Sequence, residues 1–218
     1  MILPQLQAPA PIIAMHRTTT VNLPRLICLC ALAVVVPAAT AVSGEITGTV
    51  AGPAQDGENS RVVVWVEGAP APATPPANAV VSQKGIQFVP QLLIVTEGQT
   101  IDMPNDDNVA HNVFSMSPTK QFKLGIYPTG QSRSVTFEKA GVIDLFCSIH
   151  RHMHAVIIVT PSGHYAETEV GKGYKVADLP DGEYTVKAWN PALGVTEVSS
   201  VTVTGGVAEC DITLEDNS

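Results

Sequence analysis

Two short apolar runs, residues 142–146 and 155–159, enclose a segment in which Cys147, His150, His152, Met153 and His154 follow one another closely. Val, Ile and Leu dominate both runs, which therefore read as strands. Two strands joined by a short donor-bearing loop form a rigid mounting, and the chain must adopt a fold that presents such a loop at one end of a sheet. No other stretch narrows the possible folds as far.

One thiol, several imidazoles and a thioether are donors that a soft, redox-active metal prefers over a hard one, and copper is the leading candidate. A site with one thiolate, two imidazoles and a long axial thioether needs one more histidine from elsewhere in the fold. Of the histidines outside the cluster, only His111 has a strand-and-loop setting, just after the turn-forming residues Pro104, Asn105, Asp106, Asp107 and Asn108. The expected ligands of one copper per chain are therefore His111, Cys147, His150 and Met153, with His111 reaching the centre from the other sheet. Each has a plainer reading: a buried thiol for Cys147, a surface imidazole for His150, core packing for Met153 and a hydrogen-bonded loop residue for His111. Asn112 is expected to bond to the Cys147 loop and steady it. His152 and His154 alternate with Met153 and are expected to face outward. A second histidine-rich site that borrows His150 is the alternative.

The 218-residue chain carries 12 Lys and Arg against 20 Asp and Glu, an acidic balance that argues against nucleic acid as a partner and permits a basic redox protein. Residues 26–39 form an uninterrupted apolar run preceded by His16, Arg17 and Arg25 and followed by the small residues Ala39, Thr40 and Ala41. This pattern is that of an export signal over residues 1–41, with Met15 as a second candidate start. The run is too short for a comfortable membrane span, and no later segment is long enough. A periplasmic or otherwise exported protein is expected, with no integral membrane segment after cleavage and with envelope association left open. Cleavage leaves Cys147 and Cys210. A disulfide between them suits an oxidising compartment, but Cys210 alternates with Ala208, Ile212 and Leu214 as a core thiol would.

Taken in order, residues 44–50 and 61–66 read as strands, and the Pro- and Ala-rich residues 68–78 read as a linker. Strand patterns resume between 80 and 103, recur at 112–116 and 134–137, and continue through both runs around the cluster. Residues 120–129 read as a surface connection containing Phe122, Leu124 and Tyr127. Beyond Thr160, five further strand candidates alternate with Gly, Asp and Pro turns, without a nucleophile, base and orienting group in one place. The fold class is all-β, with no convincing helix, and the chain is not expected to be an enzyme.

The motif Asn105-x-Asp107-x3-His111-Asn112-Val113, followed by Phe146-Cys147-x2-His150-x2-Met153, resembles the cupredoxins, in particular plastocyanin-like and amicyanin-like blue-copper proteins. The resemblance implies a Greek-key β-sandwich over residues 79–160 and a copper that shuttles between Cu(I) and Cu(II), carrying one electron from a donor protein to an acceptor protein. It also implies His111, Cys147, His150 and Met153 as ligands, with His150 as the electron exit near an apolar patch, although Arg151 and His152 stand where more apolar residues are usual. Residues 44–66 and the segment from Gly163 through Leu179-Pro180-Asp181-Gly182-Glu183-Tyr184 resemble a carboxypeptidase-regulatory-like, transthyretin-like sandwich. That resemblance implies a second small β-sandwich split between residues 44–78 and 161–214, with the cupredoxin inserted. Exported proteins of similar make-up are methylamine-utilisation-like. A copper chaperone or storage protein is the alternative function, and a non-redox envelope-binding domain a weaker one.

Overall fold

The computed structural model describes residues 43–215, so the expected export signal and its Cys28 and Cys30 lie outside the described residues. In chain order the strands are β1 (Gly44–Ala51), β2 (Arg61–Glu67), β3 (Ala79–Val80), β4 (Ser82–Gln83), β5 (Phe88–Val89), β6 (Leu92–Thr96), β7 (Gln99–Pro104), β8 (His111–Ser115) and β9 (Phe122–Tyr127). They continue with β10 (Ser132–Phe137), β11 (Gly141–Phe146), β12 (His154–Thr160), β13 (Tyr165–Glu169), β14 (Gly173–Leu179), β15 (Gly182–Asn190), β16 (Gly194–Val203), β17 (Val207–Glu209) and β18 (Ile212–Thr213). Among the described residues a 3-10 turn, Gly57–Ser60, is the sole helical element, and the architecture is all-β as expected.

The strands build two sandwiches. In the first, the sheet β6-β12-β11-β8-β9 faces the sheet β10-β7-β3, with β6 parallel to β12. Between them lies a core that includes Phe88, Ile101, Met103, Val113, Tyr127, Phe137, Ile143 and Leu145. In the second, β14-β1-β17 with β18 faces β13-β2-β15-β16, over a core that includes Ile46, Val62, Val64, Val176, Leu179, Val186 and Ile212. Gly48 is needed in β1 because a Cβ there would sit 2.0 Å from the Cys210 carbonyl oxygen. Residues 68–78 form no regular strand.

Side chains alternate between the two faces of a strand, so a run that is apolar at every position must be covered on both faces. That is the case in β2 and β12. Val62, Val64 and Val66 enter the core of the second sandwich, while Val63 and Trp65 point the other way. Ala155, Ile157 and Val159 enter the core of the first, while Val156 and Ile158 point outward to meet Val63, Trp65 and Trp189. The outer faces of two sheets thus press together in a third apolar layer. Full burial of each such large side chain contributes about 1.5–3 kcal/mol.

Two expectations need correction. Residues 120–129 are not a plain surface connection, because β9 runs through them and pairs with β8, bringing Tyr127 opposite His111. Three positions of β9 are exposed, which blurs its alternation. His111 also does not come from the other sheet: β8 lies beside β11 in the same five-stranded sheet, with Phe114 paired to Phe146. Adjacency in one sheet brings their ends together without a crossing of the core.

Candidate metal centre

Strand β11 ends at Phe146 and β12 begins at His154, and these two residues are paired in register, so the intervening loop is pinned at both ends. The N–H of Met153 donates to the His150 carbonyl at 3.0 Å and closes the loop into a tight turn. Asn112, which follows His111 in β8, accepts from the Ser148 N–H at 2.8 Å and from the Ser148 hydroxyl at 3.1 Å. The donor loop is thereby tied to the strand that supplies the remaining histidine.

His111 is the first residue of β8 and is fully buried. Buried Asn105 shapes the turn before it, donating to the carbonyls of Val109 at 2.9 Å and Tyr127 at 3.1 Å and accepting the Asp107 N–H at 3.0 Å. His111 Nε2 lies 2.9 Å from Asp107 Oδ2. A carboxylate can only accept, so the Nε2–H donates and Nδ1, on the other side of the ring, is turned toward the donor loop. The Ile86 N–H, and after it the His111 ring, hold the Asp107 carboxyl below the usual carboxylate range, while burial acts in the opposite sense.

His111 Nδ1 faces His150 Nδ1 at 3.0 Å and Cys147 Sγ at 4.0 Å. The ligand atoms of His111, Cys147 and His150 all lie within 4.8 Å of one another. Two nitrogens bonded at about 2.0–2.1 Å and a sulfur at about 2.3 Å to one ion would be separated by about 3.4–3.6 Å (N to N) and 3.6–3.8 Å (N to S). The two spacings measured from His111 Nδ1 lie within about half an ångström of these ranges and the third is no more than 4.8 Å, so the three donors are close enough to share a single cation. One thiolate with two imidazoles is the donor set of a trigonal copper site. Cys147 is buried, and His150 is partly exposed.

Met153 is buried among the same core residues as Cys147, while its neighbours His152 and His154 are exposed. The converging group thus consists of His111, Cys147 and His150, with the Met153 thioether in the same core layer. His152 Nε2 donates to the Ile86 carbonyl at 3.1 Å, and His154 Nε2 lies 2.8 Å from Asp144. The His154 ring stacks on Phe146 with centroids 5.0 Å apart. Beneath His111, burial pushes the Tyr127 hydroxyl up to about 12, and this hydroxyl donates to the Met103 carbonyl at 2.8 Å. Cys147 and Cys210 are both free thiols in separate cores, which excludes a disulfide between them. The pairings of His111 with Asp107 and of His152 with Ile86 go beyond what the sequence implies. A carboxylate four residues before a ligand histidine hints at the first, and nothing local signals the second.

Residues 76–160 match the profile of the copper binding proteins of the plastocyanin/azurin family. Among solved structures, a purple cupredoxin from Nitrosopumilus maritimus is 26% identical, covering 39% of this chain and 100% of its own, with a TM-score of 0.34. Amicyanin from Paracoccus versutus is 24% identical over 40% of this chain and 85% of its own (TM-score 0.36). A copper-containing nitrite reductase from Thermus scotoductus is 22% identical, covering 50% of this chain and 28% of its own (TM-score 0.37). Among curated proteins nothing matches. Residues 76–160 thus form a plastocyanin-like β-sandwich domain that carries a clustered His, Cys and His site suited to a metal ion.

Proposed function

We propose that the chain is an exported type 1 copper protein that carries single electrons between a donor and an acceptor protein and performs no catalysis of its own. His111, Cys147 and His150 would hold one copper, with the Met153 thioether as a further, weaker ligand. The observation that carries this reading is the convergence of Cys147 Sγ with two imidazole Nδ1 atoms, one of them turned inward by Asp107. When bound, copper supplies a one-electron Cu(I)/Cu(II) couple. The residues hold the donor positions fixed through the pinned loop, the Asn112 bond and the buried His111, so that little need move when the charge changes. His150 is the donor ring closest to solvent, and the exposed side chains of Val109, Ile126 and Ile149 lie on neighbouring segments where a redox partner would dock.

The leader pattern over residues 1–41 supports a periplasmic or otherwise exported location. Among the described residues no helix is long and apolar enough to cross a membrane. We read residues 44–78 and 161–214 as a carboxypeptidase-regulatory-like sandwich into which residues 79–160 are inserted, a reading supported by the strand pairing.

Copper delivery or storage is the second reading, favoured by the exposed imidazoles of His152 and His154 beside the loop. Voltammetry with metal analysis separates the two. A carrier gives a reversible one-electron wave and keeps one copper per chain through repeated cycles. Release of copper on reduction, or uptake of further equivalents, contradicts the carrier reading and favours the second.

A further inference from the structure

The backbone of one residue outside the donor set touches both halves of the site. Ile86 lies in the turn between β4 and β5, which the Lys84 N–H closes on the Gln87 carbonyl at 2.9 Å. Its φ is 57°, a left-handed value in which β-branched residues are genuine outliers. Such a conformation persists only where the surroundings over-determine it, and it collects at functional sites. Here the Ile86 N–H donates to Asp107 Oδ2 at 2.6 Å, the carboxylate oxygen that also accepts the His111 Nε2–H. On the other side of the same residue the Ile86 carbonyl accepts the His152 Nε2–H. His152 lies between His150 and Met153 in the donor loop.

The turn is itself anchored. Gln83 is fully buried at its base and donates to the Tyr127 hydroxyl and to the carbonyls of Met103 and Pro104. Its own carbonyl accepts the Asp106 N–H at 3.0 Å, and Ser82 donates to the Asp106 carboxylate at 2.6 Å. Ile86 packs against the core that contains Cys147 and Met153. The turn is therefore fixed to the body of the sandwich and holds the site from both sides.

We propose that residues 84–87 are a brace for the metal centre, in which the Ile86 backbone fixes Asp107 through its N–H, and so the His111 ring, and ties the donor loop to them through its carbonyl and His152. Asp107, Ile86 and His152 are positioning residues, and the brace rests on the metal reading given above. Its action is to keep the His111 Nδ1 lone pair and the Cys147 loop in register, so that loosening the His152 end is felt at His111, a ring His152 does not touch.

The test uses the full chain labelled with 15N-histidine and its Asp107→Ala, His152→Ala and His152→Gln variants. In the metal-free protein the His111 Nε2–H signal is read by NMR. In protein loaded with Cu(II), transfer of copper to a chelator is timed. The brace predicts loss of the His111 signal to solvent exchange in Asp107→Ala, with copper transfer faster by about 10- to 100-fold, the usual effect of removing a group that orients a metal ligand. It predicts weakening of both readouts in His152→Ala and recovery in His152→Gln, whose amide can still donate to Ile86. His152 is exposed, so its variants decide the matter even if Asp107→Ala fails to fold. If wild-type protein retains copper, both readouts unchanged in His152→Ala overturn the brace alone. Wild-type protein that retains no copper contradicts the metal reading, and the His111 signal then still decides whether the turn holds the ring: unchanged in every variant, it overturns the brace as well.

Discussion

The Nδ1 atoms of His111 and His150 lie 3.0 Å apart, yet one ring is sealed in the core and the other reaches the surface. The two histidines therefore differ in what replaces them. His150→Gly opens a gap that solvent can enter, so added imidazole should restore copper binding and the absorption spectrum. His111→Gly leaves an enclosed gap and removes one of the donors to the Asp107 carboxylate, at a cost of about 1.5–3 kcal/mol for a hydrogen bond to a charged group. Imidazole should not rescue it. Copper titrations of both variants, with and without imidazole, check the asymmetry.

Asn112 joins β8 to the donor loop through two bonds from Ser148. Asn112→Ala should lower unfolding stability by about 1 kcal/mol, because the Ser148 groups can turn to water instead. Copper transfer to a chelator should nonetheless quicken, since the loop loses its link to the His111 strand. Denaturant titration and stopped-flow transfer measure the two effects separately.

The apolar layer between the sandwiches holds Trp65, whose indole N–H is buried without a hydrogen-bond partner. Trp65→Ala should cost about 3–5 kcal/mol, as expected for an aromatic side chain removed from a core. Trp65→Phe retains most of the apolar surface and removes the stranded donor, so its cost should be far smaller. Urea midpoints of the two variants give the comparison. A small loss in Trp65→Ala would show that the layer contributes little to stability.

Much of this was legible in sequence because alternation is local. The runs at 62–66 and 155–159 announced strands, but that both are covered on two faces follows from pairings far apart in the chain, such as Trp189 meeting Val63 and Trp65. Strand β9 is not legible in the sequence because Lys123, Gly125 and Ile126 are exposed along it and blur its alternation. The donors Cys147 and His150 were visible from residue type and spacing, and His111 from its turn. Its placement in the same sheet as β11, the strand that leads into Cys147, was not, since strand order is not written in any one segment. The contact of Ile86 with His152 spans 66 positions and joins an apolar residue through its backbone, for which side-chain pattern offers no sign.

Two carboxylates away from the metal centre contribute to an acid limb in stability. The Ser134 hydroxyl and the Asn78 amide hold Asp102 below its ordinary value of 3.8, and the Thr49 N–H and hydroxyl do the same for Asp211. The folded state binds fewer protons at these groups than the unfolded chain, so their contribution is complete above the ordinary value and is lost as pH falls through the lower folded values. Thermal unfolding of the metal-free protein should therefore soften below pH about 4 through these groups. Asp211→Asn should reduce stability at neutral pH and flatten the acid decline.

The central claim is that Cys147 Sγ and two imidazoles bind one copper as a trigonal thiolate site. Its most direct test is the visible absorption and electron paramagnetic resonance spectrum of the Cu(II)-loaded chain beside that of Cys147→Ser. The account predicts an intense thiolate charge-transfer band and a narrow copper hyperfine splitting at one equivalent, both lost in the variant. A pale complex with wide splitting, or a spectrum unchanged by Cys147→Ser, would contradict it.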